Sequence, residues 1–313
     1  FAAGMAGFQG LAALLSSAAA AFEAGMANVY TLGIKSTETQ RLLREELLKL
    51  PPTLGDATTL AKGLYEVISA GIAPAQSVKF LADAALLAKA GLGDLGTAVK
   101  TLTKSMAAYN MPASEAARVS DILFTTVEVG QGSLQKFAHA MPQVTQIAAS
   151  MGVSFLDVNV AMATLSQTFR NADTAATGFR SLMVQLIQNS DEFAARGVNI
   201  QQVIGEEGLA GVFRVLQTLT GGSSVQMKKF VNDTEGLAAA MALTGPQFKT
   251  FLDNQGKFQE SAGKVSAAAK LQSDTATDVW KQFTATMGNL AIEISPPFLE
   301  AFKGIVRGAT SAA

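Results

Sequence analysis

Gly91-Leu92-Gly93-Asp94-Leu95-Gly96 matches the G-x-G-x-x-G spacing that lets a backbone close around a pyrophosphate. That chemistry needs a strand before the glycines and a helix N-terminus after them, so that amides and helix dipole converge on the phosphates. The residues in front, Leu81 to Ala90, have helical patterning, and no second strand supplies an acidic residue for a ribose. The hexapeptide therefore reads as a connection between two helices. His139 is the only histidine. A His-ligated metal site usually takes a second His at helical spacing, and no His-x-x-x-His exists. Glu128 and Ser133 do not assemble with it into a triad from sequence, so His139 reads as a helix-surface or partly packed imidazole. Asp191-Glu192 and Glu206-Glu207 fall at expected helix starts, where negative charge complements the dipole.

Gln259-Glu260-Ser261 resembles the catalytic Glu-Ser pair of lytic transglycosylases. There the Glu protonates a glycosidic oxygen, which requires a carboxyl of raised pKa in an apolar cleft. That family's downstream Gly-Leu-Met-Gln and later Ala-Tyr-Asn-x-Gly are missing. Ala108-Tyr109-Asn110 occurs, but upstream and followed by Met111-Pro112. Glu260 therefore reads as a solvated helix residue. Nucleophile elbows, Walker loops and EF-hand loops are absent too. The expectation is no enzyme, no cofactor and no metal.

The elements that carry these residues are helical. Phe155, Val158, Met162, Leu165 and Phe169 recur at three- and four-residue steps, as do Phe179, Leu182, Met183, Leu186 and Ile187. No period-two run and no Asn-Gly or Asp-Gly turn points to a hairpin. An all-α chain is expected, a module of short capped helices followed by a longer helix. Ser154 with Asp157 reads as a capping box, and Ser36, Ser114, Asp173, Ser190 and Ser223 stand where N-caps are needed. Gly71-Ile72, Gly152-Val153 and Gly197-Val198 read as C-terminal stops, the glycine left-handed and the apolar residue folded back. Pro142 is expected to kink or divide a helix around Ala138 to Ser150.

Three segments follow: an uncharged Ala/Gly-rich helix over 1–35, a core helical module over 36–245, and a longer helical segment over 246–313. In the last, no proline occurs from Gln247 to Ser295. Trp280, Phe283, Met287, Leu290 and Ile294 form a short a/d seam, either for self-association or a partner or for a helix pair inside the fold. Pro296-Pro297 ends it, and an amphipathic stretch around Phe298, Phe302, Ile305 and Val306 closes the chain.

Composition narrows the function. Charged residues make up 16% of the 313 residues, where soluble domains average roughly 25%, and mean hydropathy is +0.26. Such a chain is expected to expose apolar patches, which call for partners or membrane. A net charge of −1 gives no footprint for nucleic acid, so no sequence-specific nucleic-acid partner is expected. With no cysteine, disulfides, thiolate nucleophiles and Cys-ligated metals are excluded. The start at Phe1 rather than Met suggests a processed product or a piece of a longer chain. Residues 1–22 are uncharged and reach the length of a bilayer span. Phe1, Phe8, Leu11, Leu14, Leu15 and Phe22 mark a helix that either packs closely on protein or enters a membrane.

Tyr109-Asn-Met-Pro-Ala-Ser-Glu-Ala-Ala-Arg-Val-Ser-Asp-Ile-Leu-Phe124 resembles the hallmark segment of bacteriophage tail tape measure proteins. So do Thr126 to Gly130, Phe137 to Gly152 with Val153-Ser154, Gly178 to Leu182, Gly197 to Ile200 and Leu237 to Gly245. Thr275 to Ile294, with Trp280-Lys-Gln-Phe283, is similar to the family's segment after its core. The likeness runs from about Tyr30 to Ile294. It departs in lacking the long Lys/Glu-rich rod of that family, which fits a piece without the rod. The resemblance implies a structural virion protein in the tail tube lumen or tip, setting tail length and released at genome ejection. It implies as partners the tail tube protein, tail-tip or baseplate-hub proteins, tail assembly chaperones and copies of itself, a trimer or another ring-compatible number. Host cytoplasm is the expected location during assembly. The alternative is a membrane-active injection protein lining a DNA passage, with the host membrane as transient partner. A continuous helix advances about 1.5 Å per residue, so the short helices of 36–245 are poor ruler material and are expected to form a compactable end piece.

Overall fold

In a computed structural model that describes residues 17–275, 277–290, 292 and 293, every regular element is a helix. The all-α expectation holds: no strand occurs among the described residues. The helices are α1 (17–30), α2 (Thr37–Leu48), α3 (Ala57–Ser69), α4 (Pro74–Leu87), α5 (Leu95–Ala108) and α6 (Ala116–Val129). They continue as α7 (Leu134–Ala140), α8 (Pro142–Ser150), α9 (Phe155–Ser166), α10 (Ala172–Gln188), α11 (Ser190–Ala194) and α12 (Ile200–Thr220). Last come α13 (Ser224–Met227), α14 (Thr234–Thr244), α15 (Phe248–Gln259), α16 (Lys264–Ser273) and α17 (277–290).

Caps set most of these ends. Ser36, Ser154 and Ser223 accept from the amides of Thr39, Asp157 and Gln226, as expected. Asp56, Asp94, Ser133, Asn171, Asn199 and Asp233 do the same for their helices. Three expected caps are not caps. Asn171, not Asp173, closes α10; Ser190 lies inside α11; Ser114 sits within the 3-10 turn Ala113–Glu115. The glycine stops are as read: Gly71, Gly152 and Gly197 have φ of 91°, 78° and 75°. The amides of Ile72, Val153 and Val198 reach back to Val67, Ala148 and Phe193. Pro142 does divide its helix, with α7 ending at Ala140 and α8 starting at Pro142. The proline-free run from 247 is itself divided, into α15, α16 and α17.

The described residues form two compact units, one within Phe1–Ala85 and Lys270–Ala313 and one within Leu86–Ala269. In the first, Phe22, Met26 and Val29 of α1, Leu43 and Leu47 of α2, and Leu60 and Leu64 of α3 are buried together. Gly25 lets α1 approach α3: a Cβ there would stand 3.0 Å from that of Ala61. The guanidinium of Arg44 lies 5.2 Å from the Phe22 ring centroid and 3.1 Å from Glu23. The second unit is built around α9, which packs against α6, α8, α10, α14 and α15. Its Phe155, Val158, Met162 and Leu165 are buried, but so are Val160, Ala161 and Ala163. A helix buried on every side is a core helix rather than a surface one, and its buried Asp157, Asn159 and Thr164 find partners on other helices. On α10, Phe179, Leu182, Met183 and Leu186 are buried while Ile187 is exposed.

Candidate functional site

The motifs that point to chemistry in the sequence are structural. The chain leaves α4 through a π turn, Ala88–Leu92, and Asp94 caps α5 by accepting from the Thr97 amide at 2.9 Å. The Thr97 hydroxyl and that amide hold the Asp94 carboxyl below its ordinary pKa. The glycine run is a helix-to-helix connection whose helix N-terminus is already occupied by its own carboxylate. His139 projects from α7 with most of its side chain exposed, and its Nδ1 lies 2.9 Å from Asp173 Oδ1. It lines an open groove of about 610 Å³ together with Lys100, Lys104 and Gln146. Glu260 is the exposed C-cap residue of α15, next to buried Ser261. Among the described residues, no group of His, Asp and Glu side chains could hold a metal ion.

Of the expected seam, the structure places Trp280, Phe283, Met287 and Leu290 on α17. Trp280 is 66% exposed, Phe283 54% and Leu290 46%, and Met287 is half-buried. The Trp280 and Phe283 rings stack at 5.5 Å between centroids. Ala285 and Ile292, on the other side of the segment, are buried. The helix thus packs through its other side and turns its large apolar residues outward. Ile294 lies outside the described residues, as do Phe1, Phe8, Leu11, Leu14 and Leu15. Phe22 is fully buried against protein. No described helix is long and apolar enough to cross a membrane.

Two buried carboxylates form the most constrained polar chemistry of the second unit. From sequence, Asp157 is the second half of a capping box. Its amide does donate to Ser154 Oγ at 3.0 Å, but its carboxylate turns inward to other helices. Oδ2 accepts from the Leu209 amide at 3.2 Å, and Oδ1 accepts from Gln255 Nε2 of α15 at 3.2 Å. Burial pushes its pKa up, opposed by the donors from Leu209, Gln255 and Ser154. The Leu209 amide is available because α12 breaks at Gly208, whose φ of 63° and ψ of −159° only glycine adopts readily. A Cβ at Gly208 would stand 2.5 Å from Asp157 Oδ2. Asp157 therefore caps the second half of α12 from another helix.

The break follows from the sequence of α12. Setting Ile200 at 0° and advancing about 100° per residue, Ile200 and Ile204 centre at about 20°, whereas Leu209, Val212, Phe213, Leu216 and Thr220 centre at about 180°. A straight helix would bury one set and expose the other. Bending at Gly208 buries both, and exposed Glu207 and Arg214 pair across the bend at 2.5 Å.

Asp121 of α6 does the same for α16. Its Oδ2 accepts from the Gly263 amide at 2.8 Å and its Oδ1 from the Val265 amide at 3.0 Å. Lys264 and Glu128 add an ion pair at 2.8 Å beside it. Nearby, Asn254 of α15 donates to Thr164 Oγ1 of α9 at 3.0 Å, and Thr126 donates to Asn159 at 2.7 Å. Sequence reasoning misses both Asp121 and the carboxylate contacts of Asp157. An Asp amid apolar neighbours in Val119-Ser120-Asp121-Ile122-Leu123 is the available signal, but its partners lie 142 and 144 residues away.

A family model described as phage-related minor tail protein matches residues 52–228, more than half of the chain. The match runs from the turn before α3 to just past α13 and includes Asp121, Asp157 and Gly208. No curated protein matches the chain, and no solved structure does.

Proposed function

Because the chain belongs to the phage-related minor tail protein family, and is thus a structural tail protein, we propose that it acts as a tape measure protein. In this reading it lies in the lumen or tip of the tail tube, takes part in setting tail length during assembly and leaves during genome ejection. Its partners are the tube protein, tail-tip or hub proteins, assembly chaperones and further copies of itself in a ring-compatible number. No enzymatic step is assigned to it.

The observation that supports this placement is the outward apolar face of α17. Stacked Trp280 and Phe283, with Leu290, offer a surface suited to enclosure by other protein rather than to water. Cryo-electron microscopy of assembled tails, with a tag fused to this chain, tests it. Tagged density inside the tube or at its tip is the expected result; tags confined to the outer surface overturn the reading.

A further inference from the structure

The three helices at the C-terminal end of the described chain share one helical phase. Setting Phe251 at 0° and advancing about 100° per residue, Phe258 falls at about −20°, Val265 at about −40° and Ala269 at about 0°. At the same advance of about 100° per residue, Trp280 falls at about +20°, Phe283 at about −40°, Met287 at about 0° and Leu290 at about −60°. The phase thus carries across both breaks, at 260–263 and after Ser273, without slipping. Every charged residue from Lys249 to Glu293 lies on the opposite side, between about 100° (Lys270) and about 240° (Lys257, Glu293). Separate helices joined by turns have no need of a common phase. One continuous amphipathic helix does.

The compact fold uses this stripe unevenly. Phe251, Phe258, Val265 and Ala269 are buried, while Trp280, Phe283 and Leu290 are exposed. The first break is held by identifiable groups: Gly263 at φ 80°, and the Asp121 carboxylate, which takes the Gly263 and Val265 amides. In a continuous helix those amides would bond to carbonyls one turn earlier.

We infer that residues 248–290 have a second state, one continuous amphipathic helix about 65 Å long, from which the compact fold is held back by the Asp121 cap at Gly263. In that state the whole stripe from Phe251 to Leu290 lies along one side, where the matching stripe of a second copy covers it. This rests on the tape-measure reading, since it gives a compact end piece a route to an extended form.

The full chain has no cysteine, so Lys249→Cys and Ser266→Cys, both exposed positions, can carry a spin-label pair. On one helix the pair stands about 26 Å apart; in the compact form it is separated across the turn. The same pair is placed in the chain carrying Asp121→Ala and Gly263→Ala. The expected result is a narrow population at about 26 Å that the parent lacks. It should grow with protein concentration, with helicity by circular dichroism preserved or increased. An unchanged distance distribution overturns the inference, as does a broad one accompanied by lost helicity, because the segment then unfolds instead of joining. A negative result here, with tagged density still in the tube, removes this inference alone; density absent from lumen and tip removes the reading beneath it.

Discussion

The carboxylate of Asp157 accepts a hydrogen bond from the amide of Leu209, 52 residues later in the chain, at 3.2 Å. That contact joins a core helix to the second half of a bent one, and Gln255 brings α15 to the same carboxylate. Removing it leaves the buried Leu209 amide without an acceptor and the half-buried Gln255 without this partner. Asp157→Ala is expected to lower stability by about 1–3 kcal/mol, and Asp157→Asn, which keeps one acceptor oxygen, by less. Denaturant midpoints of the two variants check the order.

The same residue predicts a pH dependence. Burial raises its folded-state pKa above the ordinary 3.8, so the folded chain binds this proton more tightly than the unfolded chain. The resulting contribution is fully present below 3.8 and is lost as pH rises through the folded-state value. Asp157→Asn cannot titrate. The change in stability of the parent between neutral pH and pH about 4, from all its groups, should therefore be more favourable at the acid end than that of the variant. Equal pH dependence in both would refute the assignment.

Gly208 and Asp157 are expected to be coupled. Gly208→Ala places a methyl group against the carboxylate in a conformation that L-residues avoid, at a cost of about 1–3 kcal/mol. In the Asp157→Ala background the steric part disappears while the backbone strain stays. A double-mutant cycle should show a coupling of roughly 0.5–3 kcal/mol. Strict additivity would mean that the two do not meet.

Trp280→Ser, Phe283→Ser and Leu290→Ser test the outward face of α17. Exposed as they are, these changes should alter folding stability by only about 0.5 kcal/mol each, the range of surface substitutions. Self-association measured by sedimentation should nevertheless weaken. A triple variant that associates like the parent would show that copies meet elsewhere.

Phe22 is a core residue, fully buried beneath Arg44, and Phe22→Ala should cost about 3–5 kcal/mol. The membrane alternative rests on the residues before it. Liposome flotation of the chain with and without residues 1–16 is expected to show no difference; flotation that depends on them would favour the passage-forming role.

What the sequence makes legible is local. Ser36, Ser154 and Ser223 cap because a cap depends on residues three apart, and Gly71, Gly152 and Gly197 stop helices because a left-handed residue suits glycine. Asp173 misleads because Asn171, two residues earlier, competes for the same role and takes the Thr174 amide. The remote caps are hidden for another reason. Asp121 meets Gly263 and Asp157 meets Leu209 only after the helices pack, and no local spacing encodes such meetings. The seam at Trp280 is visible as a pattern, but the pattern fits a partner surface and an internal helix pair equally, and only the fold shows that this side faces outward.

The bend in α12 has a consequence for how this chain tolerates changes in length. Its two apolar sets are out of register by about 160°, and each inserted residue turns the second set by about 100°. Two added residues beside Gly208 would rotate it by about 200° and bring the sets into line on a straight helix. One added residue would leave them about 100° apart, aligned with neither the bent nor the straight arrangement. Insertions here should therefore be accepted by the register they produce rather than by their size, and a relative with two extra residues at this point could dispense with the glycine altogether.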